Sequence, residues 1–178
     1  MNEGPEDGRT GTAPGSWNIP GSSHFRDVVV RRLANDDEAR ACATIMSTSE
    51  PWITLRRDFD SSLAAASDPN RETYVAVDSS GVVGFVILNM QGPFIGYIQS
   101  IAIRADRRGD GLGSRLIAFA EERILRETPN VFICVSSFNA RARALYERLG
   151  YETVGELKDF VVSGHSEWLL RKTVGPLR

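Results

Sequence analysis

The stretch Ile101-Ala102-Ile103-Arg104-Ala105-Asp106-Arg107-Arg108-Gly109-Asp110-Gly111-Leu112-Gly113-Ser114 constrains this chain more than any other. An apolar, β-branched run turns through three glycines at alternate positions. It then passes straight into a segment whose apolar residues, Leu112, Leu116, Phe119, Ala120 and Ile124, recur at helical spacing. Glycine lets a backbone approach a ligand closely, and the first N–H groups of a helix have no partner inside it. Together with the helix dipole they make a cradle for phosphate, and Arg107 and Arg108 put positive charge beside it. Two better-known phosphate loops are excluded by spacing. A Walker A loop requires Lys after its last glycine, whereas Gly113 is followed by Ser114-Arg115. A dinucleotide fingerprint reads G-x-G-x-x-G and opens its fold, whereas these glycines read G-x-G-x-G late in the chain. A purely structural glycine turn would not explain the arginines at a strand–turn–helix junction.

The rest of the chain alternates between two periods. Residues 28–33 are β-branched and predict a first strand. Asn35 or Asp36 caps a helix to about residue 48, with Ala39, Cys42, Ala43 and Met46 on one face. Pro51 interrupts, and a second helix is expected over 54–66. Residues 73–77 and 82–89 flank Asp78-Ser79-Ser80-Gly81 as a β-hairpin. A strand over 96–104 precedes the glycine turn and a helix over 111–127. Val131-Phe132-Ile133-Cys134-Val135 reads as a central strand. A helix over 139–149 closes at Gly150, and strands over 151–154 and 160–170 finish the domain. This order implies an α/β (α+β) fold: a mixed, mostly antiparallel sheet of six or seven strands with helices on both faces. Residues 1–23, rich in Gly, Pro, Ser and Thr without apolar periodicity, are expected to be a flexible tail. One domain over 24–174 and a short tail at 175–178 account for the remainder.

Composition narrows the partners. Charged residues make up 25% of the 178, with a net charge of −2, so nothing general draws the chain to nucleic acid or an anionic membrane. The longest apolar runs, such as 82–90, fall well short of the roughly 20 residues that span a bilayer. The first residues lack the basic start and apolar core of a signal peptide, so a cytoplasmic location is expected. Cys42 and Cys134 form neither a disulfide framework nor a metal knuckle, and no metal is expected.

A second signature lies about thirty residues beyond the glycines: Asn139-Ala140-Arg141-Ala142-Arg143-Ala144-Leu145-Tyr146-Glu147-Arg148-Leu149-Gly150-Tyr151. It resembles the N-x-x-A-x-x-L-Y-x-x-x-G-F motif of the GCN5-related N-acetyltransferases. Arg108-Gly109-Asp110-Gly111-Leu112-Gly113 resembles, in register, that family's Arg/Gln-x-x-Gly-x-Gly/Ala coenzyme A loop. The resemblance covers about residues 26–172 and implies an acyl-CoA N-acyltransferase fold. It implies an enzyme that moves acetyl from acetyl-CoA to a primary amine by direct attack, with no acyl-enzyme. A non-catalytic acyl-CoA-binding or regulatory module of the same fold is the alternative.

The resemblance also implies site residues. Amides from Arg108, Gly109, Asp110, Gly111, Leu112, Gly113 and Ser114 would hold the pyrophosphate, and the backbone of Ile101 and Ile103 the pantetheine arm. Asn139 either contacts pantetheine or simply caps its helix. Tyr146 either protonates the departing thiolate or packs on Leu149 as a core aromatic. The strand position where several relatives carry a glutamate base is Tyr97 here, with Gln99 its nearest polar neighbour. Glu50, between the first two helices, is therefore the candidate base, set against a surface glutamate or a water relay to a carbonyl. Trp52, Tyr97, Gln99 and His165 are candidates for shaping the acceptor pocket, His165 with a plain turn residue as its alternative. The acceptor is a small-molecule amine or a protein N-terminus, and the family pattern leaves room for a homodimer.

Overall fold

A computed structural model describes residues 16–18, backbone only, and 27–177. Eight strands form one sheet. β1 (Ser16–Asn18), β2 (Val29–Arg32), β3 (Glu72–Asp78), β4 (Gly81–Asn89) and β5 (Tyr97–Ile103) lie side by side in chain order. β6 (Asn130–Ser136) follows, then β8 (Glu167–Thr173), with β7 (Glu152–Leu157) at the far edge. All neighbours run antiparallel except β5 and β6. The seven strands from β2 onward match the sheet expected from sequence. Ser16–Asn18, inside the expected tail, adds an eighth by pairing with Val29, Val30 and Arg31; the other residues of that tail lie outside the described set.

Helices cover both faces. α1 (Asp36–Ser47) is capped by Asn35, whose side chain accepts from Glu38 N at 3.0 Å. It packs Ala39, Cys42, Ile45 and Met46 against Val75, Phe85 and Ile87, with α2 (Phe59–Ala66) beside it. On the opposite face α3 (Leu112–Leu125) buries Leu112, Leu116, Ile117, Ala120 and Ile124 against Val83, Val86, Leu88 and Ile98. α4 (Ala140–Arg148) joins that second cluster through Tyr146. With both faces covered, β4 carries an unbroken apolar run rather than an alternating one.

Two elements depart from expectation. The second helix begins at Phe59 rather than 54, because residues 50–56 fold as successive turns ended by Arg56 at φ 55°. Asp58 then caps the helix by accepting from Ser61 N at 2.9 Å. Local capping chemistry outweighs the helical spacing of Leu55. Residues 158–166 are a loop rather than the start of the last strand. Asp159 and Gly164 both have positive φ, and Gly164 N donates to Asp159 Oδ1 at 2.6 Å, closing a turn that no strand can cross.

The parallel β5–β6 pair positions the site. It extends over only two matched pairs, Tyr97 with Phe132 and Ile98 with Ile133. Beyond them the register of β4 on β5 shifts between Ile87 and Leu88, so that Gln99 is an extra residue on β5. Such a bulge bends the strand that carries it. The closed end of the resulting V is held by Gly96, whose carbonyl accepts from Phe132 N at 2.9 Å. A Cβ on Gly96 would meet Asn130 O at 2.6 Å and Ile124 Cγ2 at 2.7 Å, and its φ is +88°, so only glycine fits this joint.

Candidate active site

The opening between β5 and β6 is a cleft of about 1030 Å³. One end is built from backbone. In an antiparallel ladder, opposed residues alternate between exchanging hydrogen bonds and pointing those groups away from each other. Arg104 N donates to Val83 O at 2.9 Å, which marks that pair as bonded. Ile103 and Ile101, opposite Gly84 and Val86, therefore turn their N–H and C=O groups away from β4, toward the side β6 has left. This is the arrangement that an extended amide-bearing ligand pairs with. Gly84 lets the two strands close there, since a Cβ would sit 2.7 Å from Ile103 Cδ1.

The glycine turn follows. Gly109 (φ +99°) and Gly111 (φ +86°) are left-handed, and a Cβ on either would enter open space. Packing therefore gives no reason for their lack of side chains; backbone conformation does, and it leaves the space above them clear. Gly111 caps α3 without a side-chain hydrogen bond, and no acidic residue stands in the first turn. The amides of residues 109–114 donate to no described group. These are the properties required for an anion at a helix start, and the pyrophosphate of coenzyme A fits them. Of the two neighbouring arginines, Arg107 is engaged elsewhere, paired with Asp78. Arg108 reaches into the cleft, donating from Nε to Ile103 O at 2.9 Å and from Nη2 to Ser49 Oγ at 3.0 Å.

Gly109, Gly111, Gly113, Ser114, Ile101, Ile103 and Arg108 line the cleft. Asp110 does not, and Leu112 is 1% exposed with its side chain in the core, so only their backbone amides are available to a ligand. Asn139 lines it while capping α4, its Oδ1 accepting from Ala142 N at 3.2 Å. Both readings of Asn139 are thus compatible, because the side-chain amide nitrogen makes no bond to a described residue. Tyr146 is 7% exposed, and its ring stands 5.8 Å from that of Tyr151, so it is a core aromatic. It also lines the cleft, and its hydroxyl bonds to no described residue. Burial pushes that phenol up to about 12, which keeps it protonated at neutral pH.

The other end is built from side chains. Trp52 and the half-buried Arg57 reach it from the α1–α2 connection, Tyr97 and Gln99 from β5, Cys134 and Ser136 from β6, and Glu167 from β8. Phe94 and Phe160 are exposed at its rim. Gln99 Oε1 is buried without a hydrogen-bond partner. Arg57 has no ion pair among the described residues. Glu50 also lines the cleft, but it is exposed, and its Oε2 accepts from Thr54 N at 3.3 Å within its own turn. His165 does not line it; its ring lies edge-on to Phe138 at 5.0 Å. Burial raises the Cys134 thiol, and burial raises Cys42 to about 12, so neither is a ready thiolate. Among the described residues no group of His, Cys, Asp and Glu is placed to hold a metal ion, and no helix is long and apolar enough to cross a membrane.

From the stretch that contains Glu167, sequence reasoning singled out His165 and passed over Glu167. It is 5% exposed, and Ser136 Oγ donates to its Oε1 at 2.6 Å. Burial raises its pKa, opposed by Ser136 and by the His165 charge. Its place in Gly164-His165-Ser166-Glu167-Trp168 was visible in the sequence. Its pairing with Ser136 across β6 and β8 was not.

The profile of the acetyltransferase (GNAT) family matches residues 37–151. The chain belongs to that family. An aminoalkylphosphonate N-acetyltransferase from Salmonella typhimurium is 31% identical over 69% of this chain and 84% of its own length. A blasticidin-S acetyltransferase from Streptomyces morookaense is 30% identical over 49% of this chain, a match that spans only 64% of that relative. A GNAT-family acetyltransferase structure from Desulfovibrio desulfuricans superposes with a TM-score of 0.70 over 83% of this chain and 99% of its own, at 19% identity. The last similarity concerns the fold, and it agrees with the open mixed sheet described above.

Proposed function

We propose that the protein transfers an acetyl group from acetyl-CoA to the nitrogen of an amine. The observation that carries this reading is the V between β5 and β6, with β5 backbone groups turned away from β4 on one wall and, at its mouth, the amides of 109–114 that donate to no described group. Acetyl-CoA supplies the thioester carbonyl to be attacked. The protein holds it through the Arg108–Ser114 turn and the Ile101 and Ile103 backbone, and brings the amine to the Tyr97 end. Positioning of this kind accounts for much of the acceleration in a two-substrate transfer. Tyr146, protonated and facing the cleft, is the donor to the departing sulfur. A silent binding module would have no use for a cleft-lining phenol that bonds to no described residue.

The acceptor end favours an amine that also carries an anion. Arg57 offers there a guanidinium with no ion pair among the described residues, and a guanidinium binds carboxylate or phosphonate through charge-assisted hydrogen bonds. The substrate named for the Salmonella relative, an aminoalkylphosphonate, is of that class.

Thermal unfolding with and without acetyl-CoA tests the site, and thiol release on adding aminomethylphosphonate tests the transfer. At 100 times its Kd, acetyl-CoA stabilises by about 2.7 kcal/mol, roughly 5–10 °C for a chain of this size. No shift at millimolar acetyl-CoA would overturn the reading.

A further inference from the structure

We propose that Glu167 is a catalytic residue of this transfer, the carboxylate that takes the proton from the acceptor's ammonium. The proposal deepens the transferase reading above and rests on it. Glu167 opens β8 directly opposite Ser136, the last residue of β6, where β6 has already parted from β5. It lines the cleft and is nearly inaccessible from outside. Among the described residues no lysine or arginine pairs with it, and its carboxylate has one hydrogen-bond partner, Ser136 Oγ, at 2.6 Å on Oε1. A buried carboxylate with no cation bonded to it is costly to keep ionised, and it gives a fold little stability in return. A cationic ligand removes that cost, and an ammonium is the cation this cleft is shaped to receive.

The surroundings agree from every side that faces it. From β5 comes Tyr97, whose phenol is raised by burial, with Cys134 and Glu167 adding to the effect and Arg57 opposing it. From β6 come Cys134 and Ser136, and from the preceding loop His165, whose charge favours the ionised carboxylate. Burial outweighs these and raises Glu167, which makes its carboxylate a stronger proton acceptor than a free one. Glu50, by contrast, is exposed and already holds its own turn.

The transfer then balances. One proton passes from the ammonium to Glu167, and the freed nitrogen pair attacks the thioester carbon. The C–N bond forms, the C–S bond breaks, and the sulfur takes a proton from Tyr146. The second nitrogen proton is lost to solvent as the amide forms. Solvent returns a proton to Tyr146 and removes one from Glu167, leaving N-acetylated amine and free thiol.

The test is Glu167→Gln, which keeps shape and hydrogen bonding but cannot take a proton. Thiol release from acetyl-CoA is followed with aminomethylphosphonate, glycine and ethanolamine as acceptors. The expected result is a kcat lower by about 100-fold at pH 7. That loss should shrink as the pH approaches the amine's own pKa, while the acetyl-CoA thermal shift stays unchanged. Ser136→Ala is the second variant. It removes the bond that favours the ionised form, so the acidic limb of the rate profile should move to higher pH. Wild-type rates in Glu167→Gln, or an unmoved limb in Ser136→Ala, would overturn the assignment while the transferase reading stands. If the wild-type protein binds acetyl-CoA but releases no thiol with any of the three amines, the transferase reading falls and takes this one with it.

Discussion

The two ends of the cleft are made of different material. The cofactor end is backbone: amides of 109–114 that donate to nothing described, and Ile101 and Ile103 groups released from the β4 ladder. Side chains there mostly stay out of the way, as the open space over Gly109 and Gly111 shows. The end proposed for the acceptor is side chain. Arg57, Tyr97, Gln99, Cys134, Ser136 and Glu167 arrive from four separate elements and meet only because β5 and β6 part. Backbone geometry binds a constant partner and tolerates sequence change around it. A side-chain pocket is rebuilt by single substitutions. One fold can therefore keep its acyl donor while its acceptor varies.

That contrast can be broken first at the backbone end. Arg108→Glu places a carboxylate beside the turn and removes the guanidinium from Ile103 O and Ser49. Acetyl-CoA should then give no thermal shift at concentrations that saturate the wild-type protein, whatever the acceptor. Next in size is Gly96→Ala at the joint of the V. The new Cβ would collide with Asn130 O and Ile124, at a positive φ, and should cost about 3 kcal/mol. Calorimetry should show a melting temperature lower by roughly 6–12 °C. Survival of wild-type stability would mean that the strands are not held together there.

The acceptor end should respond in rate and selectivity rather than in cofactor binding. Tyr146→Phe keeps the ring in its packing against Tyr151 and removes only the proton donor. With chemistry limiting, kcat should fall by about tenfold or more while the acetyl-CoA shift is retained. An unchanged kcat would assign Tyr146 to packing alone. The smallest expected effect is Arg57→Gln, which should raise KM for aminomethylphosphonate by roughly tenfold, one charge-assisted contact, and leave ethanolamine nearly unaffected. An equal rise for both amines would remove the anion subsite and leave Arg57 a general wall of the pocket.

The same division decided what could be read before folding. Strand–glycine–helix spacing is local, and the turn it singled out lines the cleft in three dimensions, as does Arg108. Arg107 lines the cleft too, but its charge is shared with Asp78 across the sheet, a pairing that the local spacing does not show. The helix expected over 54–66 lost its first turn to Arg56 and Asp58, a competition of local bonds that apolar spacing does not register. Tyr97 and Gln99 were found by counting along β5, yet nothing in the count foretold that Gln99 would be the bulge residue with a buried, unbonded oxygen.

By itself, then, the sequence determined the periodicities, the caps and the glycine turn, and with them the order of elements and the start of α3. Each depends on residues within one or two helical turns of each other. Only the tertiary structure decided which carboxylate is buried in the lining of the cleft. Glu167 and Ser136 are thirty-one residues apart in the chain. They meet through the β6–β8 register, and their chemistry depends on a burial that no neighbouring residue in sequence supplies.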